Sequence, residues 1–323
     1  MISAEFERVL VTGAAGFIGA CAARELSRRG HAVHTLLRTP SRAWRLDGIL
    51  DCIHVHEGDL TDADRVTEIV RDVRPAAIVH LATHGAYERQ ADARSIFHTN
   101  LIGTYNLLEA ARDCGVRAFA NAGSSSEYGF RAEPMRESDR VQPNSFYAVA
   151  KAAQTHLASL ISARSELGVC TFRLFSIYGP WEEPTRLIPT IIRRAWSGLP
   201  LEMVSPNTSR DFVYVDDILV PMLDFERIAK MKGDVVNLGT GVQTSLEQVI
   251  ETLRSVCPRP LDVRWGAMQA RHWDADKWVS DPSRAKELFH WTAEHSLRDG
   301  LARTADWIQQ QGGGDGDELK RCA

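Results

Sequence analysis

The stretch VLVTGAAGFIG, Val9 to Gly19, runs from three apolar strand formers into three glycines spaced G-x-x-G-x-x-G. Val9, Leu10 and Val11 read as a buried strand. Gly13, Gly16 and Gly19 let the backbone turn tightly into a helix whose first turn holds Phe17 and Ile18. A helix start carries unpaired N–H groups and partial positive charge, so a dinucleotide pyrophosphate can sit there without a dedicated cation. Ala20 to Arg29 continues the helix, Gly30 stops it and Ala32 to Leu37 supplies the next strand. Strand, turn, helix and strand in this order predict a site for a nicotinamide dinucleotide.

The same alternation extends outward through the first half of the chain. Strand candidates are Arg8 to Thr12, Ala32 to Leu37, Ile53 to Glu57, Ala77 to Leu81 and Ala118 to Ala122. Helical stretches fall at Gly16 to Arg29, Asp62 to Val73, Ala93 to Cys114 and Asn144 to Leu167, with a further strand at Val169 to Phe175. Such alternation implies βαβ crossovers and an α/β fold, a Rossmann-type doubly wound parallel sheet covered on both faces. Beyond Pro180 the prolines Pro184, Pro189, Pro200 and Pro206 cut the pattern into short pieces. A dinucleotide-binding domain is therefore expected over 1–180, with a strand and helix returning near 209–240. A smaller C-terminal α/β substrate-binding region is expected over 181–311, with helices near Leu187 to Ser197, Leu246 to Val256 and Leu297 to Gln309, and a flexible tail over 312–323.

Composition excludes some classes of function. With 44% hydrophobic residues, 25% charged residues and a net charge of −4, the chain has no general attraction for nucleic acid or an anionic membrane. No apolar run approaches a membrane span and the N-terminal MISAEFER lacks the apolar core of a signal peptide, so a cytoplasmic location is expected. The six cysteines and eleven histidines show no ligand spacing, and neither a metal site nor a disulfide framework is expected. His31, His34, His54 and His56 alternate along strands and read as structural.

Tyr147 and Lys151 stand four apart in YAVAK, so on a helix they project from one face. A phenol titrates near ~10, and an ammonium beside it favours the phenolate, which suits proton exchange with a substrate alcohol or carbonyl. Upstream, AFANAGSSSEYG (Ala118 to Gly129) reads as a strand ending in Ser124, Ser125 and Ser126 at the carboxyl edge of the sheet. Ligands of open α/β sheets sit at that edge.

Together the glycine turn, the serine run and the Tyr147–Lys151 pair resemble the extended short-chain dehydrogenase/reductases, the nucleotide-sugar epimerase/dehydratase/reductase family. The resemblance covers roughly residues 8 to 308. It includes Gly58-Asp59-Leu60, His80-Leu81-Ala82, Asn100 in HTNLIGTYNLLEAA, RLFSIYGP from Arg173, SRDFVYVDDI from Ser209 and NLGTG from Asn237. It implies that Ser124 and Tyr147 are catalytic, and that Lys151 binds the nicotinamide ribose and lowers the tyrosine pKa. It implies further that Asp59 and Leu60 flank adenine, that Leu81, Ala82 and Thr83 line the cofactor together with Asn100, and that Arg210 and Arg271 clamp a substrate diphosphate. His84, in the segment His84 to Arg89, is expected to shape the sugar pocket with Ser125, Ser126 and Glu127. Ser176 replaces the asparagine that often reaches the phosphates in R-x-F-N-x-Y-G-P. Trp181, Trp273 and Trp278 are further candidate contacts for the base or sugar. A homodimer through the Ala93 to Cys114 and Asn144 to Leu167 helices is expected by the same resemblance.

The end of the second strand, LLRTPSR, carries no carboxylate for a ribose 2′-hydroxyl, whereas Arg38 and Arg42 suit a 2′-phosphate. NADP(H) is the expected cofactor, with NAD as the alternative. Dehydratases of the family need an acid pair just after the catalytic hydroxyl residue, where this chain has Ser125 and Ser126. The leading expectation is thus NADPH-dependent reduction of a nucleotide-activated 4-keto-6-deoxy sugar at C4. The alternative is a 4-epimerase or dehydratase using bound NAD, and the remote one an inactive cofactor-binding sensor.

Overall fold

The computed structural model describes residues 4–40, 43–87, 90–257, 259, 261–269 and 277–311. Its central sheet has seven strands: β1 (Arg8–Thr12), β2 (Ala32–Leu37), β3 (Ile53–Glu57), β4 (Ala77–His80), β5 (Ala118–Ser124), β6 (Gly168–Leu174) and β7 (Lys232–Leu238). They pair in parallel in the order β7-β6-β5-β4-β1-β2-β3. From β1 the chain winds outward to β3, then returns to the middle at β4 and winds the other way. The reversal between β1 and β4 opens a crevice at the carboxyl ends of the strands, where ligands of such sheets bind.

Helices cover both faces because the inner strands β1, β4, β5 and β6 are buried on both, whereas the edge strand β3 is largely exposed. One face carries α1 (Phe17–Arg29), whose Ala20, Ala23 and Leu26 pack with Val9, Val11 and Val33. The other carries α2 (Ala63–Val73), α4 (Gly103–Asp113) and α5 (Phe146–Ala163), which bury Val66, Ile69, Leu107, Leu108 and Ile161 against Leu10 and Ile78. A short α3 (Ala93–Phe97) leads into α4 through one π-type turn, His98–Ile102. Ser145 caps α5, which stops at Ala163 rather than running to Leu167. There Ser162 donates to the Leu167 carbonyl at 2.8 Å and Ser165 to the Ile161 carbonyl, side-chain bonds that replace the next helical turn.

After Pro180 the chain divides its apolar residues between two cores. The Leu187–Ser197, Leu246–Arg254 and Leu297–Gln310 helices gather Ile188, Ile191, Val249, Leu253, Leu301 and Ile308 into a separate cluster. Ile218, Phe225, Val236 and Phe289 instead return to the cluster beneath α1. Among the described residues no helix is long and apolar enough to cross a membrane.

Candidate active site

The glycine turn is built by close backbone contact. Gly13 adopts φ +73°, and a Cβ there would lie 2.5 Å from the Ala82 nitrogen, while one on Gly19 would collide with the Gly13 carbonyl. Asp62 and Asp92 cap α2 and α3 with carboxylates, but α1 begins at Gly16 with no side-chain cap. Its first N–H groups therefore remain free for an anion, and the exposed Gly16 keeps the approach open. The residues present fit a dinucleotide pyrophosphate at this turn.

Around this turn the other sequence candidates take different parts. Arg38 is exposed just past the end of β2, and Arg42 lies outside the described residues. Asp59 accepts on its Oδ1 from the Thr61 amide at 2.9 Å and hydroxyl at 2.8 Å, a local bond two residues on. Leu60 buries its side chain, and its carbonyl accepts from Asn106. Leu81, Ala82 and Thr83 emerge half-buried from β4. Asn100 is fully buried: its Oδ1 accepts from the His84 amide at 2.8 Å and its Nδ2 donates to the His84 carbonyl at 2.8 Å. It thus fixes the 83–84 loop, and the π-type turn His98–Ile102 carries it there. The His84 Nδ1 is buried without a partner.

At the other end of the crevice β5 delivers Ser124 and α5 delivers Tyr147. The Tyr147 hydroxyl meets the hydroxyls of Ser124 and Thr83. Burial raises the phenol above its ordinary range, against the pull of these two hydroxyls and of the Arg186 charge, while the Glu127 charge adds to the rise. Lys151, expected to supply that pull, reaches past Tyr147 to β5. Its Nζ donates to the Ala122 carbonyl at 2.7 Å and to Gln154 Oε1 at 3.0 Å. Burial brings this ammonium down to about 8, and the Glu127 charge opposes the fall. Gln154 in turn donates to Asn121 at 2.6 Å, and Asn121 to Thr171 at 2.9 Å, so a buried polar chain fixes the lysine.

Glu127 and Ser125 depart from the sequence expectation. Rather than facing substrate, Glu127 has no exposed surface and its carboxylate accepts from the Ser124 amide (2.8 Å), Thr155 (3.0 Å) and Arg173 (2.9 Å). Backbone geometry explains this: Ser125–Tyr128 forms one tight turn capped reciprocally by Ser124 and Glu127, which folds the glutamate back over the sheet. Ser125 is buried and accepts from Trp278 Nε1 at 3.0 Å. Ser126 remains half-buried with its Oγ 2.8 Å from Ser124 Oγ.

Arg210 stands with its guanidinium carbon 6.0 Å from the Trp278 ring centre, and Trp278 donates to Ser125 of the serine run. Arg271 and Trp273 lie outside the described residues. Ser176 is half-buried and its amide donates to the Asp211 carbonyl. Trp181 packs between Trp44 and Trp307, with the Arg24 guanidinium 4.0 Å above it, so it belongs to the wall of the fold. The Trp181 carbonyl accepts from Arg45, which also pairs with Glu183 in a buried ion pair at 2.9 Å and donates to the Ala15 carbonyl in the glycine turn. Sequence reading missed Arg186, an exposed cation 5.0 Å from the Tyr87 ring whose field reaches Tyr147. It also missed Asp211, buried and accepting from Ser280 and Thr240 hydroxyls at 2.6 Å each. No local spacing marks Arg186; Asp211, next to Arg210, was the more legible of the two. Among the described residues no three His, Cys, Asp or Glu side chains are placed to hold a metal.

Residues 9–239 match the model of the NAD dependent epimerase/dehydratase family. The chain is 28% identical to UDP-glucuronate 4-epimerase of Thermodesulfobacterium geofontis, over 93% of this chain and 96% of that protein. It is 29% identical to dTDP-glucose 4,6-dehydratase of Xanthomonas campestris pv. campestris, over 92% of each. Among solved structures it resembles MoeE5 in complex with UDP-glucose and NAD, with a TM-score of 0.82 and 30% identity over 94% of this chain and 99% of that one.

Proposed function

The chain belongs to the NAD dependent epimerase/dehydratase family, and from that premise we propose that it is a nucleotide-sugar 4-epimerase acting on a UDP-linked hexose or hexuronate. Similarity to 4-epimerases supports this alternative over the NADPH-dependent reduction that the sequence first suggested. The observation that carries it against dehydration is the fate of Glu127. Its carboxylate is consumed by Arg173, Thr155 and the Ser124 amide, and Ser125 by Trp278, so the serine run offers no free acid to expel water from the sugar.

The roles of the residues follow from their geometry. In its ionised form Tyr147 takes the proton from the C4 hydroxyl and returns it to the C4 oxygen, and Ser124 holds that oxygen beside it. A nicotinamide held at the glycine turn would supply the hydride acceptor and donor for C4. Lys151 is kept at the floor of the site by Ala122 and Gln154, where its ammonium can hold a ribose hydroxyl. Arg210 is the candidate for the substrate diphosphate. The exposed Arg38 and the missing carboxylate at the end of β2 leave room for a 2′-phosphate, so the site accepts NADP(H) as well as NAD.

Apolar side chains stay exposed along α4 and α5 and at the turn between α3 and α4: Ile102, Tyr105, Phe146, Val149 and Leu160. We take this face to be the homodimer contact. Incubation with UDP-glucose, UDP-glucuronate and dTDP-glucose, followed by proton NMR of the products, tests the activity. Interconversion of C4 epimers with no net change in added cofactor is expected. Stoichiometric oxidation of NADPH with a 4-keto sugar nucleotide would instead establish a reductase, and a 4-keto-6-deoxy product a dehydratase.

A further inference from the structure

We propose that Glu127 is a positioning residue of the catalytic group, one buried carboxylate that anchors the Ser124 main chain and serves as counter-charge to Lys151. This rests on the epimerase reading above, in which Ser124 and Lys151 act on substrate and cofactor. The geometry is specific. One oxygen, Oε1, accepts the Ser124 amide at 2.8 Å, and the other, Oε2, accepts Thr155 at 3.0 Å and Arg173 at 2.9 Å. The side chain has room to fold back because residue 123 is glycine: a Cβ there would stand 2.8 Å from Glu127 Oε1 and 2.9 Å from Thr171 Cγ2. The Arg173 guanidinium is held in turn over the Tyr128 ring at 4.4 Å. A carboxylate needed only to balance Arg173 would not have to reach the amide of the catalytic serine.

The charges around the site are few. Thr155, which Glu127 holds at 3.0 Å, lies one helical turn after Lys151 on α5, so carboxylate and ammonium share that face. Arg173 offsets the carboxylate from β6, and from β4 Lys151 is faced by His80, which is neutral at physiological pH because burial and then the Lys151 charge hold it down to about 3. Tyr147 is faced by the Ser124 and Thr83 hydroxyls, by Arg186 and by Glu127. Glu127 therefore stands as the anion common to both catalytic groups. Its removal lets Lys151 lose its proton at lower pH and lets Tyr147 ionise more readily.

Two variants separate the two roles. Glu127→Gln keeps the length and loses the charge, whereas Glu127→Asp keeps the charge and loses the reach to Ser124. In E127Q the basic limb of the kcat profile should move down by about one pH unit with little change in KM. The Tyr147 absorbance titration at 295 nm, isolated by subtracting Tyr147→Phe, should move down as well. In E127D kcat should fall about tenfold with the limb unmoved. A folded E127Q with the wild-type titration and limb overturns the counter-charge role, and an E127D that matches wild type overturns the anchoring role. If E127Q unfolds because Arg173 is stranded, E127Q/R173M removes the buried cation as well, and its difference from R173M alone isolates the carboxylate: Tyr147 should titrate lower in E127Q/R173M than in R173M, and equal curves overturn the counter-charge role. A wild-type enzyme that epimerises no nucleotide sugar sinks the functional reading instead, and the absorbance titration still judges Glu127.

Discussion

The two ends of the crevice are made differently. At the glycine turn the groups left open to a ligand are main-chain amides, placed by three residues that lack side chains and by the Gly13 contact with Ala82. At the serine and tyrosine end they are side chains, held by partners far away in sequence: Glu127 by Thr155 and Arg173, and Lys151 by Ala122. A site of amides tolerates changes in nearby side chains but not an added Cβ. A site of buried polar groups is sensitive to each partner, because a donor or acceptor left unpaired in the interior costs about 1–3 kcal/mol.

The contrast breaks most directly at Tyr147. Tyr147→Phe should lower kcat by about 10²–10⁴-fold, measured by NMR of the epimer products, while cofactor affinity by calorimetry stays near wild type. Gly19→Ala should do the reverse. Its Cβ meets the Gly13 carbonyl, so unfolding free energy should drop by about 1–3 kcal/mol and cofactor affinity should fall with it. A Gly19→Ala protein that binds NAD normally would show that side chains outweigh amides at that end as well.

His80 sits beneath the glycine-turn end, bonded to Thr12 of β1 at 2.7 Å and to Thr104 of α4 at 2.8 Å. Because its folded pKa lies near 3, below the ordinary 6.5, the unfolded chain binds the extra proton first as pH falls. Its stabilising contribution is therefore complete above pH 6.5 and lost progressively down to about 3. Thermal unfolding across that window should show the loss, with a shallower slope in His80→Asn. The smallest effect is expected at Arg38, exposed at the rim. Arg38→Asp should shift the NADP-to-NAD affinity ratio roughly tenfold toward NAD, read by competitive binding.

Much of the fold was legible because its signals are local. Strand and helix positions from Arg8 to Leu174 follow from apolar runs and glycine or acidic punctuation, and the first six sheet strands lie where those runs are. The seventh, Lys232–Leu238, was harder to place, since only a return somewhere within 209–240 could be read. Tyr147 and Lys151 share a helix as their spacing requires, yet spacing does not show that the lysine reaches β5 rather than the phenol. Nor could it show that Glu127 turns inward, a choice made by the tight turn after Ser124 and the space above Gly123.

The sequence by itself determined the parallel sheet, the amide-lined turn and the identity of the hydroxyl groups at the sheet edge. Each depends on neighbours within a few residues, through backbone freedom at glycine or the pitch of one helix. Tertiary structure alone decided which charges meet. Arg45 finds Glu183 across 138 positions, and Arg173 finds Glu127 across 46. Such pairs form only when packing brings distant segments into the same dry interior, where an ionised group must be matched by a partner.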